Sequence, residues 1–479
     1  MQSVEELTRK PATDLVALMA DRRVSPVEVV DACLAAIDRH DPLINAFTVV
    51  DAERARAAAR DSEQRIQRDN GRALEGLPVP IKDEIDVAGL ATSMGSRMAP
   101  STPAAQDAEL VRRLREAGAI VIGKTNMPEF GSVPSTEGAL WGATHNPWDL
   151  SRTAGGSSGG SAAAIAAGMA PAAHGRDGGG SLRIPASCCG LVSIKTSRGR
   201  ISQGPAYGDV PHGLTVDGFI TRSVADQALL LDVVSGPAVG DYLWAPPPAR
   251  PFGEEIGAPV EPLRIGWTTH SVMGTTPDPA CEQALRDALA LCEQLGHHVE
   301  EMTTEVDDDS LLGTIMSAWS MHIGWDVELL REAGGDPSLL EPHNQALNAM
   351  ALAMNSAQGE VLRTKMQRIG RLIAAAVAPY DVVMTPTLGE LPLPLGALFE
   401  HAGDDPLYPL GRAGIFMPYT MQFNITGQPA MTLPLHWEGS LPVGVQFVGP
   451  PAGEAMLLRL GAQIEQAAPW AHRRPAALQ

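Results

Sequence analysis

Two glycine-lined turns, each presenting a serine, restrict what this chain can become. Thr153-Ala-Gly-Gly-Ser-Ser-Gly-Gly-Ser161 is followed by Asp177-Gly-Gly-Gly-Ser-Leu-Arg183. Glycine opens φ > 0 and lets a ligand approach main-chain N–H groups closely. Between the turns, Ala162-Ala-Ala-Ile-Ala-Ala-Gly-Met169 is a strong helix former with a glycine near its end. The first turn is therefore expected to be a helix N-terminus rather than a flexible Gly/Ser linker. A phosphate cradle would use the same position, but the lysine that follows the last glycine of a P-loop is missing.

Gly155-Gly-Ser157-Ser-Gly159 also fits the G-x-S-x-G nucleophile elbow. That elbow requires an HGGG-type oxyanion motif upstream and an acid and then a histidine downstream. No such upstream motif is present. His270, His297, His322, His343, His401 and His436 sit in no distinctive setting. A base for either serine has to come from elsewhere.

Leu77-Pro-Val-Pro-Ile-Lys82-Asp-Glu-Ile-Asp-Val-Ala-Gly89 supplies a candidate. A lysine next to Asp83 and Glu84 ordinarily forms a surface ion pair. Here Val79 and Ile81 before it, and Ile85 and Val87 after it, argue for a buried strand. Desolvation lowers a lysine pKa from about 10.4 by up to several units. Reaching about 7 disfavours the ammonium by roughly 4.6 kcal/mol, at about 1.36 kcal/mol per unit. Such a neutral amine can act as general base toward a serine.

With these residues in view, the chain resembles the amidase-signature hydrolases over nearly its whole length. The matching segments are Gly76-Leu-Pro-Val-Pro-Ile-Lys-Asp83, Gly123-Lys-Thr-Asn-Met-Pro-Glu-Phe-Gly131, Asn146-Pro-Trp-Asp-Leu-Ser-Arg-Thr153, the two Gly/Ser turns and Arg183-Ile-Pro-Ala-Ser-Cys-Cys-Gly190. Asp381-Val-Val-Met-Thr-Pro-Thr387, Phe423-Asn-Ile-Thr-Gly-Gln-Pro429 and Leu441-Pro-Val-Gly-Val-Gln446 complete the series. The resemblance implies an α/β fold, a large mixed central β-sheet covered by helices on both faces. It implies Lys82 as general base, Ser157 as bridging serine after a cis Gly156–Ser157 bond, and Ser181 as nucleophile. Gly178, Gly179 and Gly180, with Ser181, would supply the oxyanion-hole amides.

Other residues follow from the same resemblance. Gly131 sits where family members meet substrate by backbone, and Ser132 follows it. Tyr207 lines the acyl pocket or lies exposed in its loop. Ser158 is expected to support the turn or Lys82, and Asp177 and Arg183 to pin the ends of the glycine triplet. Two residues depart from the family pattern. Gly178 stands where Thr, Ile or Ala is common, and Arg176 replaces a small polar residue. Arg176 would meet an anionic substrate group or form a structural salt bridge.

The implied activity is hydrolysis of carbon–nitrogen bonds in neutral aryl or alkyl amides, extending to carbamates (urethanes) and esters. No cofactor or metal is implied, and the implied partner is the small-molecule substrate of a monomer or homodimer. The alternative is the glutaminase subunit of a tRNA-dependent amidotransferase. That subunit usually reads Arg-Gln-Pro-Ala where this chain has Arg183-Ile-Pro-Ala186.

The net charge of −20 opposes direct binding of nucleic acid or an anionic membrane. Met1-Gln-Ser-Val-Glu-Glu6 has no signal-peptide character, and no apolar run is long enough to span a bilayer. Five cysteines without metal or framework spacing fit a reducing cytoplasm, with Cys188 and Cys189 as packing residues. A single domain over 1–479 is expected. It comprises N-terminal helices over 1–70, a catalytic core over 70–235, a helical region over 262–375 and strands completing the sheet over 376–479. Gly236–Glu261 reads as a linker or surface crossing. The Met- and Trp-bearing stretch from Asp307 to Leu372 is either core or a wall of the substrate funnel.

Overall fold

Short aliphatic runs become strands, several of them buried on both sides. In a computed structural model, which describes residues 4–271, 273–302 and 311–478, they form two main sheets, besides two short two-stranded ones. The smaller has β1 (Phe47–Val50), β2 (Pro78–Lys82) and β3 (Ile120–Thr125). In it β3 is central, antiparallel to β1 and parallel to β2. The region 1–70 is therefore not purely helical. Phe47-Thr-Val-Val50 extends because it finds a partner more than seventy residues away.

The larger sheet uses β4 (Ala172–Asp177), β5 (Val192–Lys195), β6 (Val216–Thr221), β7 (Arg264–Trp267), β8 (His298–Glu301), β9 (Val382–Pro386), β10 (Ala430–Glu438) and β11 (Leu441–Val448). Their order across the sheet is β8-β7-β9-β11-β10-β5-β6-β4. The β8-β7-β9 portion is parallel and the remaining pairings are antiparallel, so the sheet is mixed.

Successive residues of a strand point to opposite faces. Val382 and Met384 enter one core with Leu285, Leu289, Leu457 and Leu458, whereas Val383 joins Ile369 and Ile373 on the other side. Both faces are covered by helices. An alternating inside/outside pattern is absent from β9 and β11 because neither side of them meets water.

Helices mark their ends as the sequence predicts. α1 (Pro26–Ile44) starts with Pro26 at its first turn and a complete capping box between Ser25 and Glu28. α2 (Gly159–Ala166) follows the first Gly/Ser turn, and α3 (Arg183–Cys189) follows the second. Pro279–Gln294 forms a helix that buries Cys281, Ala284, Leu285, Ala288, Leu289 and Cys292 on one face. The Met- and Trp-bearing stretch forms α4 (Leu311–Glu332), α5 (Pro342–Leu352) and most of α6 (Ser356–Val377), while residues 307–310 of that stretch lie outside the described residues. Among the described residues no helix is long and apolar enough to cross a membrane.

Candidate active site

β2 is buried along its length and ends at Lys82, which is 1% exposed. The ammonium of Lys82 donates to Ser157 Oγ at 2.8 Å. It also lies 2.6 Å from Glu84 Oε2. Burial pushes the Lys82 pKa below the ordinary lysine value, and Glu84 resists that fall. The surface pair conceivable from Lys82-Asp-Glu84 thus forms, but inside the protein. Asp83 turns away to Lys124, 2.8 Å off. The Lys82 backbone N–H donates to His174 Nδ1 at 3.3 Å. That leaves His174 Nε2 to carry the proton toward Asp217 Oδ1, 3.1 Å away.

Ser157 lies in the turn before α2, after a cis Gly156–Ser157 bond. Thr136 holds the turn, donating to Gly155 O at 2.9 Å and accepting from Gly159 N at 3.2 Å. Ser158 Oγ faces the backbone of Arg176, donating to its carbonyl at 3.2 Å, which is the supporting contact expected of it. Gly131 closes the other side. At φ +64° it places its Cα against Ser157, and an added Cβ would lie 2.7 Å from Ser157 Oγ and 3.7 Å from Lys82 Nζ.

The second turn is held from behind. Arg183 is fully buried and spreads its donors over five oxygens. Two belong to Asp177, at 2.8 and 2.9 Å. The others are Asn424 Oδ1 and Gln446 Oε1, both at 2.6 Å, and Thr420 O at 2.8 Å. Burial works against the charge of Asp177, yet the guanidinium holds its carboxyl down at about 2. The Phe423–Pro429 and Leu441–Gln446 segments thus anchor the glycine triplet through Asn424 and Gln446. Gly180, at φ +140°, lies so close to Thr420 that no Cβ fits, and Thr420 Oγ1 donates to Gly179 O at 2.5 Å.

Ser181 opens on a cavity of about 180 Å³. Gly131, Ser132 and Gly179 border it beside Ser181, while Gly178 instead faces Thr215 and Trp319. Ile315, Met316 and Trp319 of α4, with Met417 and Met421, form the apolar walls. The Met/Trp stretch therefore serves both uses: Ala318 and Ile323 pack inward, and Trp319 faces the cavity. Trp319 Nε1 donates to Ser132 O at 3.1 Å, and Ser132 Oγ meets His343 Nε2 at 3.0 Å.

Tyr207 does not reach this cavity. It stands 38% exposed with its ring 4.9 Å from that of Trp325, bordering a second cavity of about 410 Å³. Arg176 makes the salt-bridge arrangement, to Glu84 at 3.3 Å and Asp217 at 3.0 Å. The five cysteines are free and buried, and burial raises the thiols of Cys188 and Cys189 far from reactivity. The sequence names Glu84 only as a surface ion-pair partner of Lys82 and does not single out His174, Asp217 or Trp319. The departure at Arg176 is the one signal toward His174 and Asp217.

A buried lysine hydrogen-bonded to Ser157, with Ser181 on the following glycine turn and opening on a cavity, makes this the candidate active site. Residues 28–458 match the Amidase family, and the chain belongs to it: an amidase-signature hydrolase acting on carbon–nitrogen bonds. It is 40% identical to AmiB2 of Mycobacterium tuberculosis over 468 residues, 96% of each chain. It is 36% identical to 6-aminohexanoate-cyclic-dimer hydrolase of Paenarthrobacter ureafaciens, over 97% of this chain and 96% of the relative. A solved structure of 6-aminohexanoate cyclic dimer hydrolase complexed with substrate superimposes with a TM-score of 0.91 at 33% identity, over 98% of this chain and 100% of that one.

Proposed function

We propose that this chain hydrolyses neutral amides bearing an apolar acyl group, by way of an acyl ester on Ser181. The observation that carries the reading is the 2.8 Å bond from buried Lys82 to Ser157, next to a cavity that Ser181 opens on. Neutral Lys82 takes the Ser157 proton as Ser157 takes that of Ser181. The Ser181 oxygen then bonds to the substrate carbonyl carbon. Amides of the 178–181 loop receive the developing oxyanion, donors aimed at charge that appears in the transition state. The relayed proton passes to the leaving nitrogen as the C–N bond breaks. Water next repeats the sequence on the ester, releasing the acid and restoring the Ser181 hydroxyl.

Substrate class follows from the walls. Among the described residues, no charged side chain borders the cavity, so a substrate carboxylate or ammonium would be desolvated there without a partner. Carbamates and esters share the reacting carbonyl and fall within the same proposal. A relative named for a cyclic amide dimer supports an uncharged substrate.

The test is turnover of an aryl anilide, an aliphatic amide, an aryl carbamate, an ester and glutamine, by the parent and by Ser181→Ala. Loss of anilide or carbamate turnover in the variant is the expected result. Equal turnover by the variant, or activity on glutamine alone, would reject the proposal.

A further inference from the structure

Lys82 stands in a closed ring of charge. Its Nζ touches Glu84 Oε2 at 2.6 Å, Glu84 Oε1 lies 3.3 Å from Arg176 Nη1, and Arg176 Nε lies 3.0 Å from Asp217 Oδ1. Asp217 takes His174 Nε2, and His174 Nδ1 takes the backbone N–H of Lys82 itself. The ring draws on β2 and the turn after it, on β4 for His174 and Arg176, and on β6 for Asp217. From α4, His322 and Asp326 face Glu84 and Arg176; from the loop after β5, Tyr207 faces Arg176.

We propose that Arg176 and Glu84 form a positioning pair that sets the pH at which Lys82 can act as a base. The inference rests on the reading of Lys82 as that base. Glu84 holds the lysine nitrogen against Ser157 but also favours its ammonium. Arg176 shares the Glu84 carboxylate and so draws that charge off Lys82. Burial pushes His174 down and His322 down to about 4, so both are neutral near pH 7, and it raises Asp326 well above the usual carboxylate range. Of the groups in the ring, Arg176 pairs with the carboxylates of both Glu84 and Asp217, and so offsets negative charge that would otherwise act on Lys82 alone.

Removing either partner acts on Lys82 in opposite directions. Glu84→Gln takes away a negative charge and should let Lys82 lose its proton more readily. Arg176→Gln takes away a positive charge and should hold the proton on. A neighbouring charge at this range shifts a titration by about one unit or more.

The experiment is the pH dependence of Ser181 labelling by a fluorophosphonate, which requires the base but no knowledge of the substrate. The parent, Glu84→Gln, Arg176→Gln, Arg176→Lys and Lys82→Met are compared, with a thermal melt for each. We expect the rising limb to move to lower pH in Glu84→Gln and to higher pH in Arg176→Gln, by about one unit each, with Arg176→Lys close to the parent. Should Arg176→Gln fail to fold, the Glu84→Gln shift and the Arg176→Lys rescue still decide the matter. Unmoved limbs, or limbs moving the same way, overturn the proposal while leaving an inactive Lys82→Met in support of the base. Labelling of Lys82→Met at the parent's rate overturns both.

Discussion

Gly131→Ala is the sharpest perturbation the geometry offers, because one methyl group acts on the fold and on the site by separable amounts. At φ +64° an L-residue costs roughly 1–2 kcal/mol through its own backbone. In a chain of this size that lowers Tm by only a few degrees. The added Cβ would lie 2.7 Å from Ser157 Oγ, short of ordinary contact at about 3.5 Å. Relief requires a shift of about 0.8 Å, and Ser157 Oγ is the atom held at 2.8 Å by Lys82. A displacement near 1 Å costs on the order of 10² in rate. We therefore expect kcat on the best anilide to fall about a hundredfold, with a folded enzyme whose melt moves little. Thermal denaturation and steady-state kinetics on the same preparation read the two effects. If Gly131→Ala keeps more than about a third of the parent kcat, the close approach to Ser157 has no bearing on the chemistry and the reasoning fails.

Three further outcomes are expected. Arg183→Met strands the Asp177 carboxylate in a fully buried site, and breaking a buried pair from one side costs about 3–5 kcal/mol; a urea midpoint giving less than about 1 kcal/mol would refute the role assigned to the fork. Burial pushes His322 and His343 down to about 4, so the fold keeps them neutral while the unfolded chain protonates near 6.5. Stability from these two is full above pH 6.5 and lost as pH falls toward 4. His343→Gln should therefore lose less stability than the parent between pH 7 and 5, and an unchanged loss by urea titration would contradict this. Trp319→Ala widens the cavity and frees Ser132 O, so kcat/KM should shift toward bulkier acyl groups over acetyl, by roughly fivefold or more; an unchanged ratio across an acyl series would remove Trp319 from the specificity wall.

The cap at Ser25, the glycine just beyond α2 at Gly168 (φ +77°) and the burial of Lys82 are all legible in the amino-acid sequence. Each depends on near neighbours: a side chain reaching three residues on, a φ that glycine tolerates, an apolar run around one lysine. The strand Phe47–Val50 is not legible in that way, because its four residues extend only through β3. Nor is the place of Tyr207, since a loop's sequence does not say which cavity it borders.

What the amino-acid order determined by itself was the set of candidate reactive groups and the backbone able to present them: Lys82, Ser157, Ser181 and the glycines around them. What the tertiary structure alone decided was their electrostatic company. Glu84 lies two residues from Lys82, yet Arg176, His174 and Asp217 arrive from strands far along the chain. Arg183 meets Asn424 and Gln446 across more than two hundred residues. Local sequence carries propensity and glycine freedom, which act over a turn or two. Charge pairing and cavity shape depend on distances through space, and those exist only once the sheet has brought its strands together.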